Sequence, residues 1–185
     1  MTTRKKAALH NLGCKVNAYE TDAMQQLLEE NGYEIVPFTE CADVYVINTC
    51  SVTNMADRKS RQMIHRARKK NPQAIVVAAG CYVQTSTEEV MEDLAVDIVI
   101  GNNQKNHLVD CIAEFENKNH PICAENAEQG AQAKNTEEKV VDCIDINKDE
   151  QEYEDFLVNK TAEHTRAFIK VQDGCNQFCS YCIIP

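Results

Sequence analysis

Ala74-Ile-Val-Val-Ala-Ala-Gly-Cys81 decides the fold, because it is the most strand-like run in the chain and it ends on a glycine and a cysteine. Helical patterns stand on both sides of it. Upstream, residues 44–48 read as a strand and residues 54–70 as a long helix that Asn71-Pro72 stops. Further back, residues 7–12 form a first strand, residues 21–30 a helix ended by Asn31 and Gly32, and residues 33–36 a short strand. Downstream come a helix at 88–94, a strand at 98–100 and a last helix at 104–117. Strands alternating with helices are the signature of βαβ units, so the expected class is α/β, a Rossmann-like parallel sheet with flanking helices.

Beyond that alternation the character of the sequence changes. Residues 118–138 are polar, with little periodicity, and read as a loop; residues 140–146 can add an edge strand. An acidic stretch follows. The expected division is a first domain over residues 1–146, a linker over 147–165, and the start of a second module over 166–185, opened by a strand at 167–171. Fourteen residues after that strand are too few to complete a domain.

The composition, 43% hydrophobic in 185 residues, allows one ordinary core and a fragment of another. No apolar run reaches the roughly 20 residues of a membrane helix, and the opening MTTRKKAALHNLG lacks a signal-like apolar region, so the expected location is the cytoplasm, away from any membrane. There, ten cysteines argue for metal or redox chemistry over disulfides. A formal net charge of -10 excludes a general nucleic-acid coat. Basic residues are nevertheless concentrated at Arg58, Lys59, Arg61, Arg66, Arg68, Lys69 and Lys70, which make either a solvated helix face or a local RNA-facing helix.

Six of the cysteines fall into two sets. Gly174-Cys175-Asn-Gln-Phe-Cys179-Ser-Tyr-Cys182 is a compact C-x3-C-x2-C loop after an expected strand. Three thiolates on one loop can hold three irons of a 4Fe-4S cluster and leave the fourth open; the spacing departs from bacterial ferredoxins, and no second zinc knuckle follows. The other set is dispersed: Cys14, Cys50 and Cys81 each follow an expected strand. In a doubly wound sheet the carboxyl ends of the strands share one edge, so these three converge there. Glycines before Cys14, Cys81 and Cys175 permit sharp turns and close backbone approach. Asn17 and Asn48 stand beside these cysteines and can hydrogen-bond cluster sulfurs or the loops, or simply cap turns and strand ends. Cys41, Cys111, Cys123 and Cys143 fit no ligand spacing. The five histidines show no paired spacing, and no glycine-rich nucleotide loop is present.

The compact loop resembles the cluster motif of the radical S-adenosylmethionine superfamily. LGCKVNAYE, NTCSVTNMADRKSRQ and AGCYVQ, ahead of GCNQFCSYCIIP, together resemble the methylthiotransferase family within it. The resemblance implies that Cys175, Cys179 and Cys182 bind a 4Fe-4S cluster that holds S-adenosylmethionine, with Tyr181 near the adenine. It implies that Cys14, Cys50 and Cys81 bind an auxiliary 4Fe-4S cluster, which carries the sulfur to be methylated. The first domain would then be the methylthiotransferase N-terminal domain, and residues 166–185 the first strand and cluster loop of a truncated radical barrel. Lacking the barrel, the chain is not expected to turn over alone.

Members of the family act on isopentenyladenosine in tRNA, on threonylcarbamoyladenosine in tRNA, or on an aspartate of a ribosomal protein. LGCKVNAYET with NTCSVT and KSRQ is most similar to the threonylcarbamoyladenosine branch. That implies a tRNA partner, methylthiolation at C2 of the base next to the anticodon, and a reductant such as flavodoxin or ferredoxin. Two rivals need fewer assumptions: a non-catalytic iron-sulfur carrier or electron-transfer protein, and a zinc-stabilised RNA-binding module.

Overall fold

The computed structural model of the chain describes residues 4–119, 138–144, 170–172, 174–175 and 177–182. Six strands form one sheet: β1 (Lys6–Asn11), β2 (Glu34–Ile35), β3 (Val44–Thr49), β4 (Ile75–Gly80), β5 (Ile98–Ile100) and β6 (Val140–Asp142). Their order is β2-β1-β3-β4-β5-β6, and every pairing is parallel. This is the doubly wound arrangement expected from the alternation of strands and helices. The order reverses direction between β1 and β3, and such a switch point opens a crevice at the carboxyl ends of the two strands.

Helices cover both faces. α1 (Lys15–Glu30) and α5 (Leu108–Asn119) pack Met24, Leu28, Leu108, Ile112 and Phe115 against Ala7, Val44, Val46, Val77 and Ile98. On the other face α2 (Asn54–Lys70), α3 (Cys81–Thr85) and α4 (Thr87–Glu92) set Ile64, Ala67, Tyr82, Val83 and Val90 against Ala8, Tyr45, Ile47, Val76 and Val99. Successive strand residues therefore feed opposite cores. All six residues of β3 and all six of β4 are buried, which is why these segments read as unbroken apolar runs. Each buried Val or Ile contributes about 1.5–3 kcal/mol.

Several elements differ from the sequence expectation at their ends. α1 begins at Lys15, six residues before the expected start at 21, because Cys14 in extended backbone acts as its N-cap without the usual capping side chain. α3 was not expected; a five-residue helix is too short to show a period. The last helix is a 3-10 turn (Lys105–His107) followed by α5, which runs two residues further than expected. The edge strand is real but short, ending at Asp142. Lys170, Val171 and Gln172 form no strand, while 167–169, the linker and most of the polar loop lie outside the described residues.

Candidate functional site

The dispersed cysteines stand where the strands of the sheet end. Cys14 lies three residues beyond β1, Cys50 directly after β3, and Cys81 directly after β4 as the first residue of α3. β1 and β3 flank the switch point, so the first two share its crevice. Gly13, the neighbour of Cys14 in the chain, lies against Cys50: a Cβ built on it would be 2.9 Å from Cys50 Cβ and 3.1 Å from Cys50 Sγ. Gly13 has φ +131° and Gly80 φ +95°, conformations that exclude larger residues and let the loops carrying the cysteines fold tightly over the strand ends.

Two asparagines tie these loops together. The buried Asn17 amide donates to Thr49 O at 2.8 Å and Leu12 O at 3.3 Å, joining the β3 end to the β1 end. Asn48, also buried, donates to Asn17 O at 2.9 Å and to Thr21 Oγ1 at 3.1 Å. Cys14 Sγ meets Asn17 Oδ1 at 3.2 Å. Both asparagines thus brace the loops, one of the two roles read for them in the sequence. Ser60 on α2 receives the Cys50 N–H at 3.4 Å and donates to Cys50 O at 3.3 Å, fixing the backbone that presents this thiol.

The three thiols differ in exposure. Cys14 is exposed, Cys81 half-buried and Cys50 buried. Burial pushes the Cys81 thiol up, and the nearby Cys50 and Glu20 add to this; Lys105 and a hydrogen bond with Asn102 pull the other way. Among the described residues, no three His, Cys, Asp or Glu side chains are grouped as for a single metal ion. The three cysteines share one edge of the sheet, at the ends of β1, β3 and β4, and thiol sulfurs are soft donors.

The compact loop is more open. Cys175 is half-buried, Cys179 and Cys182 are exposed, and a turn brings Cys182 N–H onto Cys179 O at 2.9 Å. Phe178 takes the left-handed conformation at φ +48°, and both it and Tyr181 are exposed. Of the remaining cysteines, Cys111 is buried with its thiol pushed up to about 12 by burial and Asp142, and so is inert. Cys143 meets Gln84 and Thr87, Cys41 is exposed, and Cys123 lies outside the described residues.

Sequence reading missed a charged cluster beside the thiols. Glu20 on α1 forms ion pairs with Lys105, through Oε2, and with Lys170, through Oε1 at 3.1 Å. All three side chains are at least 94% buried, from relative exposures of 6%, 2% and 2%. Burial would raise the Glu20 carboxyl, but the two ammonium groups hold it below its ordinary value. Desolvating an ion costs several kcal/mol, so such a cluster survives only when its members face one another. The one available signal was Glu20 lying on the otherwise buried face with Asn17, Ala23, Met24 and Leu28.

The basic run on α2 divides into two uses. Arg68 donates to Pro72 O, Ala74 O and Ala95 O and pairs with Asp97; Lys70 meets Thr39 O; Arg61 meets Tyr82 Oη and Glu89. These three serve the domain. Arg58, Lys59, Arg66 and Lys69 remain exposed. No helix among the described residues is long and apolar enough to cross a membrane.

The family described as uncharacterized protein family UPF0004 matches residues 6–101. Threonylcarbamoyladenosine tRNA methylthiotransferase MtaB of Bacillus subtilis (strain 168) is 42% identical over 96% of the chain and 35% of its own length. The MtaB of Aquifex aeolicus (strain VF5) is 40% identical over 97% of the chain and 39% of its own. A tRNA-2-methylthio-N(6)-dimethylallyladenosine synthase of Yersinia pestis (strain Pestoides F) is 27% identical over 98% of the chain. The chain spans between a third and two fifths of the length of these relatives. Because the matched residues run from β1 through β5 and include Cys14, Cys50 and Cys81 with the edge they occupy, the chain belongs to the UPF0004 family, on the side of it whose relatives are named as tRNA methylthiotransferases.

Proposed function

We propose that the chain is part of a methylthiotransferase that modifies tRNA, adding a methylthio group to C2 of N6-threonylcarbamoyladenosine next to the anticodon. The observation that carries this reading is the gathering of Cys14, Cys50 and Cys81 on one edge of the sheet, with Gly13 and Cys50 in near contact across the switch point. In this reading the three hold an auxiliary 4Fe-4S cluster, and Cys175, Cys179 and Cys182 hold a second with S-adenosylmethionine, Tyr181 lying against its adenine. When bound, these groups supply sulfur and a one-electron cleavage of the sulfonium. The chain's own residues do the rest: Asn17, Asn48 and Ser60 hold the loops in place, and the half-buried setting of Cys81 limits water.

The domain division at residues 147–165, the cytoplasmic setting and a reductant such as flavodoxin or ferredoxin belong to the same reading. Threonylcarbamoyladenosine is favoured as substrate over dimethylallyladenosine because relatives named for the former are 42% and 40% identical, against 27% for the latter.

The test is iron and acid-labile sulfide analysis of the 185-residue protein purified and reconstituted without oxygen. A brown protein is expected, and replacing Cys14, Cys50 and Cys81 together by Ala should remove most of its iron. Iron content unchanged by that replacement, or a colourless protein containing only zinc, sinks the reading.

A further inference from the structure

The buried Glu20 cluster joins three segments that are far apart in the chain. Glu20 sits in the second turn of α1, one and a half turns past the Cys14 cap; Lys105 lies in the loop after β5; and Lys170 lies five residues before Cys175. The first of these segments follows a cysteine of the dispersed set and the last precedes one of the compact set. One carboxylate serves both lysines, one oxygen each. Glu20 lies on the helix that Cys14 caps, and that helix packs against the 3-10 turn that carries Lys105, so the cluster sits beside the β1 end of the cysteine edge.

Three ions this deeply buried are not a solvated surface network. The lysines are long and flexible, and pinning both costs side-chain entropy. That cost is justified mechanically only if the segments they carry need to be held.

We propose that Glu20 is a positioning residue, a two-sided clamp that holds Lys105 and Lys170 and thereby fixes the Cys175–Cys182 loop against the sheet edge that bears Cys14, Cys50 and Cys81. The proposal rests on the two-cluster reading above for its purpose, but not for its test. Among the described residues of 170–182, Lys170 alone has a side chain this deeply buried in an ion pair with the sheet domain. Release of that ion pair frees the loop.

Hydrogen exchange read by mass spectrometry on the metal-free 185-residue protein tests the clamp directly. With Glu20→Gln, peptides covering 170–182 and 102–108 should exchange on the order of a hundredfold faster, as expected when a buried ion loses its partner, while peptides from β3 and β4 keep wild-type protection. Lys170→Met, which leaves Lys105 paired with Glu20, should release 170–182 while 102–108 stays protected, and the double variant should be no looser at 170–182 than either single one. Wild-type exchange of 170–182 in both single variants, or no protection of that segment in the unaltered protein, overturns the proposal. In the iron-loaded protein, Glu20→Gln should weaken the magnetic coupling between the two reduced centres at unchanged iron content; unchanged coupling counts against the clamp. Absence of iron from the unaltered protein would defeat the proposed function and leave the exchange result standing.

Discussion

At the scale of single residues, Gly80 and His10 give the plainest consequences. A Cβ on Gly80 would lie 2.5 Å from Asn48 Oδ1 and 2.7 Å from Thr49 O, in a backbone with φ +95°. Gly32 has φ +85° but nothing within 4 Å, so Gly32→Ala meets the conformational penalty alone, about 1 kcal/mol. Gly80→Ala should cost at least ~2 kcal/mol more in urea unfolding, because strain and collision with backbone add; equal costs would mean that the close approach at the β4 end is not tight. His10 is partly buried against Phe38, ring centroids 5.0 Å apart, and burial, then Arg66, hold its imidazole below 6.5. The neutral ring is thus favoured in the folded state. Stability should be greatest above pH 6.5 and fall as the pH drops from there towards the folded value, by no more than about 1.4 kcal/mol per pH unit for one proton. His10→Leu should flatten that part of a stability profile measured between pH 7.5 and 5; a profile identical to wild type would assign the loss to other groups.

Elements show why some of this was legible in sequence and some was not. β3 and β4 are buried on both faces, so apolar content alone gave them, and α2 was legible in full because Thr53 caps its start, Asn71 and Pro72 close it, and Ile64 and Ala67 mark its inner face. The reading of α1 fell six residues short because a cysteine cap carries no sequence signal, and α3 is too short for a period. Charge partners were invisible: Arg68 lies 29 residues from Asp97, and Glu20 lies 85 and 150 residues from its two lysines, with nothing local to relate them. The basic run consequently read as one surface when it is two. Arg68→Met should destabilise the domain by about 3–5 kcal/mol in urea unfolding, since Asp97 would be left buried without its partner. Replacing Arg58, Lys59, Arg66 and Lys69 together by Ala should leave unfolding nearly unchanged; if the proposed tRNA partner meets this face, the same change made in a full-length relative should reduce the salt slope of tRNA binding by about 1 for each phosphate no longer neutralised. An unaltered slope in a fluorescence titration would make that face a solvent surface only.

Across the whole molecule, the two cysteine sets are held by different amounts of structure, and this orders their stability. Cys14, Cys50 and Cys81 follow three neighbouring strands of the parallel sheet; moving the first two means breaking the Asn17 and Asn48 ties, and moving Cys81 means loosening the β3–β4 ladder. Cys175, Cys179 and Cys182 share one loop, two of them exposed, and five residues before it Lys170 pairs with Glu20 of the sheet domain. The location of the first set followed from the fold class, because any doubly wound sheet brings its strand ends to one edge; the pairing of Lys170 with Glu20 did not, because it is a buried ion pair between distant parts of the chain. Thiols that need not reorganise pay less entropy on binding metal and release it more slowly, since release then requires a strand end to open. In the reconstituted 185-residue protein, iron held by the dispersed set should therefore outlast iron held by the compact loop when a strong chelator is added. The measurement compares two triple variants, Cys175, Cys179 and Cys182 to Ala against Cys14, Cys50 and Cys81 to Ala, and follows loss of visible absorbance with time. The first variant, which retains the dispersed set, should bleach more slowly, and Glu20→Gln added to the second should speed its bleaching further. Faster loss from the dispersed set would show that the sheet edge does not hold those thiols in the geometry iron requires.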